Sequence, residues 1–227
     1  MKKVLKAGSF LLIAAALIVS VASCSKDDTP ANNGNNNGNI NIANLQAQIT
    51  SLPKEPLNST ELSSLSFMRE EEKLALDVYI TLYNKWGVNI FTNISSSEQT
   101  HMESVLLLLN KYSLTDPVGT NPVGVFNNTL LHVLYNQLVA QGNTSVLEAY
   151  KVGATIADLY IFDLKKALVN IDNQDIRLVY DMLPKGSRNH LRSFYRNVLN
   201  AGGTYTPQYI TQAEFDVIIN SAMETGF

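Results

Sequence analysis

Apolar residues recur every three or four positions along most of the chain beyond about residue 60, which is the spacing of amphipathic helices. Four core helices are predicted at residues 66–86, 95–112, 144–170 and 187–199. Shorter segments are predicted at 128–140 and 175–183, the second broken by the proline and glycine at 184–186, and a terminal helix follows the capping box that opens at Thr211. Strand patterns are weak throughout. The pattern therefore predicts an all-α fold, a four-helix bundle with short accessory helices.

The chain begins with a segment that lies outside this helical pattern. Lysines up to Lys6 precede an apolar run at residues 10–21, which is short for a membrane span, and small residues then lead to Cys24. The segment resembles a bacterial lipobox, in which the cysteine becomes the lipidated first residue. Residues 1–23 are therefore predicted to be a lipoprotein signal peptide. An ordinary cleaved signal with an incidental cysteine is the alternative.

An acidic pair and a tether follow the predicted lipidation site. Asp27 and Asp28 resemble the signal that carries some Gram-negative lipoproteins to the outer face of the outer membrane, and a solvated start of the tether is the alternative. Residues 24–43 are rich in Asn, have little to bury, and are predicted to be a disordered tether. Residues 44–227 are predicted to form the helical domain. The expected location is thus the cell envelope, with the membrane as a partner through the lipid on Cys24.

The charge balance argues against one class of partner. The net charge is −3 and there is no basic cluster, whereas phosphate binding depends on Lys and Arg, so nucleic-acid binding is not expected. Cys24 is the only cysteine, so the domain is expected to contain no internal disulfide. The sequence leaves a homodimer open and identifies no protein partner.

Two polar residues interrupt the apolar stripe of the second core helix. Glu98 and His101 are three positions apart and lie on one face, which continues as Val105, Leu108 and Tyr112. Burying a carboxylate and an imidazole is unfavourable unless each finds a partner. Helix bundles that bind two metal ions use this Glu-x-x-His pair on two helices and single glutamates on the other two. The pair therefore predicts a site inside the bundle.

Two further core helices offer partners for this pair. Glu72 lies on the inward stripe of the first helix, and His190 lies on the inward stripe of the fourth. Carboxylates and neutral imidazoles are ligands of iron, manganese and zinc. Glu72, Glu98, His101 and His190 are therefore predicted to hold one iron, manganese or zinc ion, and a site without metal is the alternative.

The third core helix lacks the carboxylate that a two-metal site requires. Its inward positions include Ala157 and Tyr160, while Asp158 is turned away by about 100°. In the fourth helix, Ser187 stands three residues before His190, where a second Glu-x-x-His pair would have glutamate. The sequence therefore predicts a reduced site.

Several separate motifs resemble one known family. They are Leu65-Ser-Phe-Met-Arg-Glu-Glu-Glu-Lys-Leu-Ala75, Asp77-Val-Tyr79, Trp86-Gly87, Ser97-Glu98 with His101-Met102, and Gly186-Ser-Arg-Asn-His-Leu191. In this order, over about residues 60–200, they are similar to the ferritin-like family catalogued as domain of unknown function 2202. The resemblance implies a ferritin-like fold and carries the family's site over to Glu72, Glu98, His101 and His190. The family's third helix has Ile-Glu-Glu-x-Asp-Ile, but this chain has Ile156-Ala-Asp-Leu-Tyr-Ile161, which weighs against a redox-active di-iron centre.

Each candidate ligand also has a simpler interpretation. Glu98 would only cap its own helix if that helix began near Ser95. His101 would be a hydrogen-bonded core histidine, and His190 would bond locally to Ser187 or Asn189. Glu72 would be solvated if its helix were rotated, as Glu70 and Glu71 are expected to be.

Structural roles are expected for His132 and for four of the tyrosines. His132 is expected to be exposed on its short helix. Tyr79, Tyr83, Tyr112 and Tyr160 are expected at the edge of the core, with a radical or phenolate-ligand role for Tyr79 or Tyr160 as the alternative.

Two classes of function follow from the sequence. The first is an envelope-anchored metal-binding lipoprotein with a reduced, mononuclear site. The second is a non-enzymatic binding or structural module of the cell surface in which that site is degenerate. A hydrolase is not supported, because the sequence contains no Ser/His/Asp arrangement or nucleophile elbow. The sequence does not decide whether the protein is an enzyme.

Overall fold

The computed structural model describes residues 40–225, and all regular secondary structure in this range is α-helical. The helices are α1 (Ile42–Ser51), α2 (Ser59–Trp86), α3 (Asn89–Tyr112), α4 (Thr129–Gly142), α5 (Val146–Ala167), α6 (Gln174–Asn200) and α7 (Gln212–Ile219). The all-α prediction is confirmed. None of these helices combines the length and apolar character that crossing a membrane requires. The predicted signal peptide, Cys24 and most of the predicted tether lie outside the described residues.

The four longest helices pack as two pairs. α2 packs against α3, α5 packs against α6, and the pairs meet through contacts between α3 and α6 and between α2 and α5. Around them, α4 covers α2 and α5, α1 lies against α3 and α6, and α7 lies against α6. The three short helices thus cover the outside of the paired long helices.

The core consists of two apolar clusters, and the predicted site residues fall between them along the helices. One cluster contains Tyr79, Phe91 and Phe194, and the other contains Met68 and Leu183. On α2, α3 and α6 the predicted site residues lie between a residue of one cluster and a residue of the other. The polar site therefore interrupts the core at one level of the bundle.

The second core helix begins earlier than the sequence pattern predicts. α3 starts at Asn89, and its N-cap position, Val88, makes no side-chain capping hydrogen bond. Serine and threonine hydroxyls in its first turns donate to carbonyls of the preceding turn, and Phe91 is fully buried. Packing of the apolar face thus outweighs the poor helix propensity of this stretch. Glu98 lies well inside α3, so the interpretation that it only caps this helix is wrong.

The predicted break at residues 184–186 is wrong. α6 runs continuously from Gln174 to Asn200 with Pro184 inside it. An interior proline costs about 3 kcal/mol because it removes a backbone hydrogen bond and crowds the preceding turn. Pro184 is buried and follows the fully buried Leu183, so burial of this face offsets that cost. One long helix therefore joins the segments predicted separately.

Buried residues occur from the first described position onward. Ile40 is buried, and α1 buries Leu45 and Ile49 in the core. The first core helix, α2, starts at Ser59 rather than at residue 66, because Asn58 and Glu61 form a capping box there. At the other end, the capping box predicted at Thr211 opens α7.

Candidate metal site

Three helices bring the predicted site residues together. Glu72 comes from α2, Glu98 and His101 from α3, and His190 from α6. The first three side chains belong to residues at most 1% exposed, and His190 is 5% exposed. All four residues therefore lie inside the bundle.

The imidazole of His101 stands between two carboxylates. Its Nδ1 atom lies 2.9 Å from Oε2 of Glu98 and 3.3 Å from Oε2 of Glu72. One potential ligand atom from each of these residues lies within 4.8 Å of the other two. Ligand atoms about 2.1 Å from one ion lie about 3–4 Å from each other. The three side chains can therefore hold a metal ion with small adjustments.

The same atoms lack other partners in the described part of the chain. Both carboxylate oxygens of Glu72, Oε2 of Glu98 and both ring nitrogens of His101 are buried without a hydrogen bond. The contacts of His101 with the carboxylates are short, but they do not have the N–H···O alignment of hydrogen bonds. Buried polar atoms are normally paired. The donor set therefore fits a cation better than it fits a hydrogen-bonded core.

His190 contacts the opposite oxygen of Glu98. Its Nδ1 atom lies 3.1 Å from Oε1 of Glu98, and its ring centroid lies 5.7 Å from that of His101. The local bonds expected as an alternative are not made, because Ser187 donates to the Leu183 carbonyl and Asn189 bonds to Glu224 and Arg192. His190 is not among the residues whose atoms converge, and its role as a ligand stays a prediction.

Burial and neighbouring charges separate the pKa values of the site. Burial, reinforced by the charge of Glu98, raises the pKa of Glu72 to about 7 against the opposing effect of His101. Burial also acts to raise the pKa of Glu98, but His190 and His101 together outweigh it and lower this pKa to about 2. Burial acts to lower the pKa of His101, but the two carboxylates raise it to about 10. In the metal-free protein at neutral pH, Glu98 is thus ionised, His101 is protonated and Glu72 is near its midpoint.

A glycine of α6 makes room for the His101 ring. A Cβ atom added to Gly186 would lie 2.6 Å from both Cε1 and Nε2 of His101. Such a contact is too short, and the fully buried ring has little space in which to move. Gly186 therefore fixes how closely α6 approaches the site, which spacing within α3 alone does not indicate.

Two buried tyrosines complete the surroundings of the site. Tyr79 is fully buried, its hydroxyl has no hydrogen bond within the described residues, and burial with the charges of Glu98 and Glu72 raises its pKa. Tyr160 is 1% exposed, and its hydroxyl oxygen accepts from the backbone N–H of Ala75 at 3.2 Å. Both tyrosines belong to the core rather than to its edge.

Comparisons with known proteins place the chain in a family. The model of an uncharacterized protein domain, DUF2202, matches residues 61–222. The chain belongs to the DUF2202 family. It is 54% identical over 178 residues to the uncharacterized protein MJ0754 of Methanocaldococcus jannaschii, which covers 78% of this chain and 96% of that protein. A crystal structure of hypothetical protein MJ0754 from Methanococcus jannaschii matches with a TM-score of 0.75 and 54% identity, over 77% of this chain and 99% of that one.

This DUF2202 chain buries two glutamates that were expected to be solvated, so that expectation is wrong. Glu70 is 4% exposed and accepts from the backbone N–H groups of Asn127 and Asn128 before α4. Glu71 is fully buried and faces the carboxyl group of Asp163 on α5. α2 packs against α3, α4 and α5, and its three consecutive glutamates meet different neighbours. Glu70 meets the loop before α4, Glu71 meets α5, and Glu72 meets α3. The sequence signal that could have indicated this is the presence of apolar residues on more than one face of α2.

Asp158 of the DUF2202 domain is buried but turned away from the site. Its carboxylate accepts from the backbone N–H groups of Gln208, Tyr209 and Ile210 and from the Tyr205 hydroxyl. Asp158 therefore holds the segment that leads into α7. Its neighbour Ala157, which occupies the inward position, brings no ligand atom.

His132 is exposed, as its position on the short helix predicts. Its Nδ1 atom lies 3.1 Å from the Gly124 carbonyl oxygen, and its Nε2 atom lies 3.2 Å from the Asn136 side chain. It lies on α4, apart from the four buried residues of the site.

Proposed function

We propose that this chain is a ferritin-like metal-binding protein that holds one iron, manganese or zinc ion. The observation that carries the proposal is the convergence of buried ligand atoms from Glu72, Glu98 and His101 that have no hydrogen bonds in the described residues. Two carboxylates and an imidazole suit each of these metals. The packing of α2, α3, α5 and α6 supports the ferritin-like arrangement. When bound, the ion would act as a Lewis acid toward water or another small ligand.

The surrounding residues have separate roles in this proposal. Glu72, Glu98 and His101 supply the ligand atoms, and His190, whose Nδ1 atom contacts the second oxygen of Glu98, orients that carboxylate. This role differs from direct ligation. Residues that hold a ligating side chain in place commonly contribute 10–100-fold to metal affinity. Ala157 and Tyr160 leave α5 without a carboxylate at this level, which supports one ion rather than two.

The location of the protein is proposed from the sequence alone. The lipobox-like segment before Cys24 supports a lipid anchor, and the acidic pair after it supports the outer membrane and its outer face. A chain so anchored would hold its metal ion in the cell envelope. The sequence supports no nucleic-acid partner for it.

The wild-type protein is expected to bind about one metal ion per chain, and more tightly as the pH rises. Protons compete with the ion for Glu72, whose pKa is about 7, and for His101, whose pKa is about 10. Both groups have raised pKa values, so the protons must leave before the ion binds. Apparent affinity should rise about tenfold per pH unit above 7 and more steeply below it.

Metal titrations with Zn²⁺, Mn²⁺ and Fe²⁺ between about pH 6 and 8, followed by elemental analysis, measure this dependence. An ion present at about 100 times its Kd should also stabilise the fold by about 2.7 kcal/mol. Absence of bound metal together with an unchanged melting temperature would instead support a non-enzymatic surface module with a degenerate site.

Replacing Gly186 by alanine is expected to weaken metal binding by about tenfold or more, because it displaces a ligand rather than removing one. The new Cβ atom would press on His101 at 2.6 Å. Gly153→Ala is the matched control, since its Cβ atom would lie 2.3 Å from Cε1 of Phe194 in the apolar core. The control should lose about 1–3 kcal/mol of stability to overpacking but retain metal affinity. Equal metal affinity in Gly186→Ala and wild type would contradict the proposed geometry around His101.

A further inference from the structure

One part of the domain surface carries no charged side chains. Residues 117–147 comprise the loop before α4, α4 itself and the start of α5, and they contain no Asp, Glu, Lys or Arg, whereas 16% of the whole chain is charged. All but five of these 31 residues are exposed or partly exposed. Exposed helix faces normally carry charged as well as neutral polar residues. The composition of this uncharged surface, residues 117–147, is therefore unusual for a region in contact with water.

Apolar side chains are exposed within the uncharged surface. Four of them are between 42% and 77% exposed, namely Val123, Val125, Leu130 and Val133. The loop that carries the first two lies against α4, because Nδ1 of His132 is 3.1 Å from the carbonyl oxygen of Gly124. The loop valines on either side of Gly124 are thus close to the part of α4 around His132. An exposed apolar patch of this kind commonly marks an interaction site.

The polar side chains of the uncharged surface favour a second copy of the chain as its partner. Those exposed on α4 include Asn136, Gln137 and Gln141, and an amide group both donates and accepts hydrogen bonds. In a twofold dimer the same surface meets itself. Amides can then pair with amides, whereas charged side chains of one sign would repel each other. A surface with amides and without charges is therefore complementary to itself.

The extent and the borders of the uncharged surface also suit a dimer. Stable interfaces of standard size take about 20–30 residues from each partner, which this surface can supply. Asp116, just before it, is paired with Arg69. Glu148, just after it, is paired with Lys151. A membrane suits the surface less well, because helices that lie on membranes carry Lys and Arg on their polar face and α4 has neither.

We propose that the uncharged surface is the interface of a twofold-symmetric homodimer, in which α4 of one protomer packs against α4 of its partner. Leu130 and Val133 form the apolar centre of this interface, and the loop valines and the amides surround it. The interface is independent of the proposed function, because α4 carries none of the residues whose ligand atoms converge.

The test is the mass of the full chain in solution, measured by sedimentation equilibrium. The wild type is expected to pass from monomer to dimer between about 1 and 100 µM. Val133→Glu and Leu130→Glu should each raise the dimer dissociation constant by about 100-fold or more, because each places two like charges in one interface. Both side chains are exposed, so the variants should fold, which circular dichroism verifies.

A valine outside the uncharged surface provides the matched control. Val217 on α7 is 71% exposed, and Val217→Glu should dimerise like the wild type. A wild type that stays monomeric, or a dimer that persists in both α4 variants, would overturn the proposal. So would a monomeric wild type that floats with phosphatidylcholine vesicles and loses this binding in Leu130→Glu, since the surface would then bind lipid. Metal content should be the same in all these proteins, so its loss would count against the metal site and not against the dimer.

Discussion

Replacing Glu98 by glutamine and His101 by alanine together is expected to reduce bound metal from about one ion per chain to nearly none. The double substitution removes two of the three side chains whose ligand atoms converge, and it leaves only Glu72. Burial alone still raises the pKa of the remaining Glu72 carboxyl group, and His101 no longer opposes it, so this group takes up a proton rather than retaining an ion. Elemental analysis after purification from metal-supplied medium measures the effect.

A surface substitution on the same helix provides the control. Glu103 lies two residues after His101, is partly exposed and bonds to Gln99, so Glu103→Gln should retain the wild-type metal content. Circular dichroism and the melting temperature of the metal-free proteins verify that both variants fold. Equal metal content in the double variant and the wild type would refute the proposed site.

His190→Gln separates orientation of a ligand from ligation. If His190 only orients Glu98, its loss should weaken affinity by about 10–100-fold while saturation still reaches one ion per chain. A complete loss of metal, as severe as that in a His101→Ala variant, would instead make His190 the fourth ligand that the sequence predicts. The position of its Nδ1 atom, 3.1 Å from Oε1 of Glu98, favours the first outcome.

Replacing Asp158 by alanine is expected to lower the free energy of unfolding by about 3 kcal/mol or more. The substitution removes a buried carboxylate and leaves the groups that donate hydrogen bonds to it without an acceptor. The carboxylate is fully buried and accepts 2.8 Å and 3.2 Å bonds from the N–H groups of Ile210 and Tyr209, among others. The segment after α6 should therefore loosen, together with α7. Urea denaturation measures the stability, and hydrogen exchange of residues 205–219 locates the loss.

A second acid on α5 serves as the matched control for this loss. Glu148 is partly exposed and bonds to Lys151 and Gln141, so Glu148→Gln should change stability by less than about 1 kcal/mol. Metal content should stay unchanged in both variants, because Asp158 faces away from the site. A stability change below about 1 kcal/mol in Asp158→Ala would show that the segment is held by other contacts.

The inward stripes of the helices account for most of what the sequence predicted about the site. Glu72, Glu98 and His190 each occupy a position where the helical period demands an apolar residue, and the structure buries all three. Periodicity is a local property, so it can be recognised within one helix. Distances between helices are not local, which is why the sequence did not place His190 on the far oxygen of Glu98.

The errors have a common physical origin in contacts between distant segments. Pro184 lies within a continuous helix because burial of α6 offsets the cost of the proline. Glu70 and Glu71 are buried because α2 is covered by α4 and its preceding loop on one side and by α5 on another. The sequence prediction treated α2 as a helix with one buried face and one solvated face. In the structure α2 packs against α3, α4 and α5, so the face that carries Glu70 and Glu71 is buried as well.

The sequence by itself determined that this chain is helical, that its α3 presents a Glu-x-x-His pair inward, and that α5 offers Ala157 and Tyr160 in place of acids. These properties follow from the helical period and from residue identity. Only the tertiary structure decided that Glu72 and Glu98 meet at His101, that Gly186 leaves space for its ring, and that Glu71 faces Asp163. Those relations depend on the distances between the helices and on their relative positions along the bundle, and both are set by the close packing of the whole core.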